Sequence, residues 1–156
     1  MTDSLSKIDQ KALIRRALHR MKKQNQKVTL MMLKKPEIEQ TFQRSAQVKD
    51  MLLSPAFCFK DIGLIIINED VFSDLGKVSQ LFVLEHELAH LIHPWEVEEC
   101  KIDSLAFSNM QGSGDQLSEI ELDKILVNDS FLSKSKRLSN FNLYLSHGKS
   151  KHEADR

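Results

Sequence analysis

The sequence is short of the residues that define several protein classes. Its two cysteines, Cys58 and Cys100, cannot make a disulfide framework, and a reduced, cytoplasmic setting is the simplest expectation. It has no apolar run near the roughly 18 residues that a membrane span needs. The longest runs, Leu64 to Ile67 and Leu81 to Leu84, are core-sized. It opens MTDSLSKIDQ, without an apolar signal segment, so export is not expected. It has no net charge: 22 Lys plus Arg stand against 22 Asp plus Glu, which argues against a chain built to coat nucleic acid or an anionic membrane. Internal repeats and low-complexity tracts are lacking too. Prolines number three and glycines five, and they punctuate the elements below.

What is present describes a folded soluble domain, with 41% hydrophobic and 28% charged residues in a chain of 156, the length of one domain. We place that domain at 1–147, with a basic N-terminal helix over 1–26 and a helix pair over 115–147. The tail, 148–156, lacks core-forming residues and is expected to have no fixed structure. Charge is unevenly spread. Residues 1–35 hold ten Lys or Arg against two Asp, and residues 61–103 hold ten acids against two Lys. The simplest reading sets the basic helix against the acidic half of the same domain; the sharper one is a basic surface for an acidic partner.

The pattern alternates helix and strand. Residues 4–24 carry apolar positions at spacings of three and four. Lys27 to Leu33 reads as a strand, and Glu37 to Lys49 as a helix with Ile38, Phe42 and Ala46 in line. Phe57 to Lys60 and Leu64 to Asn68 read as strands joined by a turn at Asp61 to Gly63, the second β-branched as if buried on both faces. Lys77 to Ile92 is helical and stops at His93-Pro94. A further helix is expected from Glu96 to Met110, closed by Gly112-Ser113-Gly114. Another follows a capping box at Ser118 and Glu121 and runs to Val127. The last spans Ser130 to Leu145, with Phe131, Leu138, Phe141 and Leu145 mostly on one side. Helix, mixed strands, then helices is an α+β order, a small mixed or antiparallel sheet packed on a central helix.

The chemistry is concentrated at His86-Glu87-Leu88-Ala89-His90, H-E-x-x-H inside a helix. Residues four apart share a face, so both imidazoles can reach one metal ion. Imidazole suits zinc, which in catalytic sites takes three protein ligands and a water whose pKa falls to about 7. Glu87, about 100° around the helix, can face that water without being a ligand and act as general base and acid. The motif is expected by chance about 0.016 times in a shuffled chain of this composition. Its apolar flanks, Leu81 to Leu84, Leu88, Leu91 and Ile92, bury the helix, and buried His and Glu need a partner such as a metal. For the third ligand Glu96, Glu98 and Glu99 are candidates on the next helix, ahead of His93. Glu99 is favoured because Asp103, four residues on, can take the outer N–H of a ligand histidine while Glu99 binds the metal.

These residues resemble the gluzincin class of zinc peptidases, and more closely the ImmA/IrrE-like metallopeptidases. Gly63 to Asn68 (GLIIIN) is similar to that family's G-x-I-x-x-N strand. Leu81 to His90 (LFVLEHELAH) is similar to R-F-T-L-A-H-E-L-G-H, and Glu99 to Phe107 (ECKIDSLAF) to E-x-E-A-N/D-x-F-A. Ser130 followed by Arg137-Leu138 matches an S…R-L spacing. The likeness covers roughly 60–145. Departures are Leu81 for Arg, Glu85 for a small residue, Lys101 for an acid, and Asp129 and Ser133 for apolar residues. The resemblance implies a zincin-like fold, Zn2+ as cofactor, and limited cleavage of a protein substrate such as a helix-turn-helix repressor. It also implies a strand beside the active-site helix that holds extended substrate, a role falling on Leu64 to Asn68. A peptidase needs an oxyanion donor; Tyr144, His147 and His93 are the candidates.

Other features read as ordinary. Cys58 alternates with Phe57 and Phe59 and reads as a small core residue; Cys100 lies off the ligand face; Trp95 is expected to pack at the turn between the two metal helices. Lys134, Lys136 and Arg137 form the one basic cluster of the last helix pair, so direct nucleic-acid binding is not expected. The reading is a small zinc metallopeptidase with His86, His90 and Glu99 as ligands, Glu87 as base and Asp103 orienting a ligand. Its rivals are a zinc-binding module that regulates by docking a protein, and a DNA-associated regulator.

Overall fold

The structure is a computed structural model that describes Arg15, His19, 27–111 and 116–154. The basic N-terminal helix over 1–26 and the Gly112-Ser113-Gly114 stop lie outside these residues, apart from Arg15 and His19, which are helical and exposed. The fold is mixed α+β. The elements run β1 (Thr29–Leu33), α1 (Lys35–Phe42), α2 (Val48–Leu53), β2 (Ala56–Phe59), β3 (Leu64–Asn68), α3 (Glu69–Phe72), α4 (Lys77–Ile92), α5 (Glu99–Gln111), α6 (Glu119–Ile125) and α7 (Phe131–Ala154). Among the described residues no helix is long and apolar enough to cross a membrane.

The sheet has the order β1-β3-β2, with β1 parallel and β2 antiparallel to β3. The central strand is the β-branched run, and Ile65, Ile66 and Ile67 are all buried, as a strand covered on both faces requires. Side chains alternate across the sheet. Ile65 and Ile67 join the main core with Phe82, Leu84 and Leu88 of α4. Ile66 faces the other way, paired with Phe57, whose ring meets Phe42 of α1. Register therefore puts Ala56 and Cys58 on the α4 face and Phe57 and Phe59 on the α1 face. Gly63 closes the β2–β3 turn at φ 62°, where an added Cβ would come within 2.5 Å of the Lys27 carbonyl oxygen. Only glycine meets both demands.

Helix α4 lies under the sheet, and Ser79 through Leu91 are all buried. It ends where His93 precedes Pro94, and the His93 N–H still closes on the Ala89 carbonyl at 2.9 Å. Helix α5 starts at Glu99 rather than Glu96, because the turn after Pro94 uses the Glu96 N–H on the His93 carbonyl and helical bonding begins at the Glu98 carbonyl. The Ser118–Glu121 capping box forms as read, at 3.2 and 3.1 Å.

Several expectations are corrected. The single helix over 37–49 is two, because the Ser45 hydroxyl accepts the Gln47 N–H at 3.2 Å and offers the backbone a turn instead of a helix. Phe131 does not join Phe141 on the apolar side; it opens α7 at 83% exposure. The last helix, read to Leu145, continues to Ala154; no proline follows Leu145 to interrupt it.

Candidate metal centre

His86 and His90 project from one face of α4, and Glu99 comes from the first turn of α5. His86 Nε2 and His90 Nε2 are 3.1 Å apart. Glu99 Oε2 is 3.0 Å from the first and 3.4 Å from the second. Around an ion bonded at 2.0–2.1 Å, tetrahedral ligand atoms stand about 3.3 Å from one another. The trio therefore has the spacing of three corners of such a tetrahedron and could hold a metal ion. Glu99 keeps 44% of its side chain exposed, so solvent reaches the side of the group away from α4.

Asp103 stands one turn beyond Glu99 and is fully buried. His86 donates from Nδ1 to Asp103 Oδ1 at 2.8 Å, so that once the ring gives up its second proton the lone pair falls on Nε2, the atom that faces Glu99. Arg137 of α7 grips the same carboxylate with Nε on Oδ2 and Nη2 on Oδ1, both 2.7 Å, and places Nη1 2.9 Å from Asp129 Oδ2. Ser133 donates to that Asp129 oxygen at 3.0 Å. One buried guanidinium thus ties the C-terminal helix, through Asp103, to His86 of the trio.

The charges shape one another. Burial alone would lower the His86 pKa, but hydrogen bonds to Asp103 and Glu99 outweigh it and raise it to about 9. Burial would raise Glu99, but His86 and His90 hold it far below the usual carboxylate range. Against the same penalty, Arg137 and His86 hold Asp103 low.

A cleft of about 560 Å³ runs between β2, α4 and the start of α7; Glu87, Cys58, Asp129 and Arg137 line it along with the trio. Glu87 opens onto the same space as the two imidazoles, as its place on the helix requires. Cys58 is half-buried, packed against the core as read, and also borders the cleft. Burial and the neighbouring Glu87 carboxylate push its thiol up.

The other candidates go elsewhere. Glu96 and Glu98 turn toward Lys101, at 3.9 and 3.8 Å. His93 sits edge-on to Trp95, and Trp95 is 73% exposed instead of packed at the turn. Tyr144 lies against Phe107 and is not among the described residues that line the cleft. His147 is on α7, and its side chain lies outside the described residues. Cys100 is not among the trio's ligand atoms. The strand expected to hold substrate, Leu64 to Asn68, is the central one with both edges paired; β2 is the strand that lines the cleft, and among the described residues it has a neighbour on one edge only.

Reading the sequence did not place Arg137 or Asp129 in the site. In sequence Arg137 stands with Lys134 and Lys136 as a basic cluster, yet it is buried and faces Asp103, while Lys134 pairs with Asp123 at 2.9 Å. The available signal was its spacing from Ser130 in the family resemblance. Compared with protein-family models, curated proteins and solved structures, the chain matches none.

Proposed function

We propose that this protein is a zinc-dependent metallopeptidase of the zincin kind that makes limited cuts in a protein substrate, with a helix-turn-helix repressor as the candidate. The observation that carries the reading is the tetrahedral spacing of His86, His90 and Glu99, with Glu87 opening onto the same cleft. When bound, zinc supplies Lewis-acid polarisation of the scissile carbonyl and a water acidic enough to lose a proton near neutral pH.

The chain does the rest. Glu87 takes the proton on its carboxylate and returns it to the departing amine. Asp103 keeps His86 in the tautomer that presents Nε2. Arg137 uses three of its five N–H donors on Asp103 and Asp129. Arg137 lines the cleft, and we assign its remaining two donors to the carbonyl oxygen of the substrate, the role otherwise falling to Tyr144, His147 or His93. The free edge of β2 can pair with an extended substrate backbone.

Metal analysis of the purified protein tests the reading. Zinc near one per chain is expected, falling several-fold in Glu99→Ala with the fold intact by circular dichroism. A folded wild-type protein that takes up no zinc overturns it.

Zinc affinity should also depend on pH. Below about 9 the raised His86 pKa means that each ion entering must displace a proton. Affinity is therefore expected to climb about tenfold per pH unit from 6 to 8 and to level off above 9. Competition with a chromophoric chelator at several pH values measures it; a flat profile counts against His86 as a ligand.

A further inference from the structure

The cleft at the trio is not the only hollow along β2. A second, of about 310 Å³, lies on the opposite face of the sheet edge, between α2 and β2. The two share Ser54, Phe57 and Cys58, so they meet across the strand that has a free edge. Asn68 holds α2 in place by donating to the Met51 and Leu52 carbonyls at 3.2 and 3.1 Å. The aromatic walls are equally fixed: Phe59 stacks on Phe42 at 5.7 Å, and Phe57 meets Phe42 and Phe59 edge-on.

The chemistry of this hollow is one-sided. Its walls are Met51, Phe57 and Phe59, and its charged lining residue is Asp50. Among the described residues no Lys or Arg lines it. Asp50 is exposed, and its carboxylate has no partner among the described residues, since the Ser54 N–H and hydroxyl both bond to its main-chain oxygen. Apolar and aromatic walls under a lone carboxylate suit a side chain with a long aliphatic stem and a cationic head. The stem covers the apolar wall, the head reaches the acid, and a ring face adds a cation–π contact.

We propose that this hollow is a specificity subsite for a Lys or Arg of the substrate. The proposal rests on the peptidase reading above and adds the chemistry of what is cut. An extended peptide paired with β2 sends successive side chains to opposite faces. One enters the cleft at His86, and its sequence neighbour enters the hollow beside Asp50. The selected residue is thus adjacent to the one that faces the metal ligands, and charge at other positions matters less.

The test uses zinc-loaded full-length protein and a positional-scanning peptide library carrying Arg, Leu or Glu at each site in turn. Cleavage is measured with the wild type and binding with Glu87→Gln by fluorescence anisotropy. Exposed ion pairs and cation–π contacts are each modest, so a preference of about 5- to 10-fold for Arg over Glu is expected at one position. Asp50→Asn should shrink that preference to about 2-fold, and Asp50→Lys should reverse it. Asp50 is exposed, so neither variant is expected to disturb the fold.

Uniform cleavage across the library overturns the subsite and leaves the peptidase reading standing. So does a preference for Leu over Arg that Asp50→Lys does not change. Asp50-dependent selection in binding without any cleavage sinks the peptidase reading and keeps the subsite. Failure of every peptide to bind overturns both.

Discussion

Glu87→Gln is expected to lower peptide hydrolysis by about 10²- to 10⁴-fold, the usual contribution of a positioned general base, with zinc content unchanged. Glutamine keeps the volume and the hydrogen-bonding reach of glutamate but cannot accept the proton that the attacking water must lose. Glu87 is buried at the cleft wall and does not belong to the His86–His90–Glu99 trio, so metal retention should not suffer. The Cys58 thiol, which rests against the Glu87 carboxylate, keeps a neighbour in the variant. Turnover of a labelled protein or peptide substrate, measured beside zinc content and melting temperature, checks this. A variant that cleaves at the wild-type rate removes Glu87 from the chemistry. A wild-type protein that holds zinc, binds a partner and cleaves nothing points instead to a docking module on the same fold.

The largest loss of stability is expected from Arg137→Met. Asp103 is 0% exposed and takes two of its three short hydrogen bonds from Arg137, the other from His86. Methionine fills space and leaves the carboxylate buried with one partner. Breaking a buried pair from one side costs about 3–5 kcal/mol, which in a chain of this size lowers the melting temperature by roughly 10 °C. Asp103 also orients His86, so zinc affinity should fall by about 10- to 100-fold. Arg137→Lys restores the charge without the two-pronged grip and should recover only part of each loss. The double variant Arg137→Met, Asp103→Leu separates the two roles. Removing both charges should recover much of the stability, while zinc affinity stays low because the Asp103→Leu change takes away the acceptor of His86. Thermal melts and chelator competition on the three proteins measure both. Stability and affinity that recover together would mean that Arg137 acts on the site through the fold alone.

Much of the site was legible because it is local. Two histidines four apart on a helix must share a face, and Glu87 must look into the same space from beside them. Glu99 and Asp103, one turn apart on the following helix, divide the same way: the first reaches the imidazole Nε2 atoms, the second the outer nitrogen of His86. The Gly63 turn, the buried run Ile65 to Ile67 and the Ser118 capping box follow the same logic of near neighbours.

The errors concern relations that no short-range pattern carries. Strand order placed Leu64 to Asn68 in the middle of the sheet and made β2 the edge strand beside the cleft among the described residues; pairing partners lie far away in sequence, and each strand reads alike whichever place it occupies. Arg137 and Asp103 are separated by 34 positions, and a helical repeat says which face an arginine shares, not whether that face meets solvent or a buried carboxylate. Cys58 obeyed its alternation, yet its neighbour across the cleft is Glu87 of another element. Spacing along the chain therefore settled which donors could gather. Packing of distant elements settled what orients them, which strand borders the cleft, and that a second, acid-rimmed hollow adjoins it, because those outcomes depend on which surfaces exclude water together.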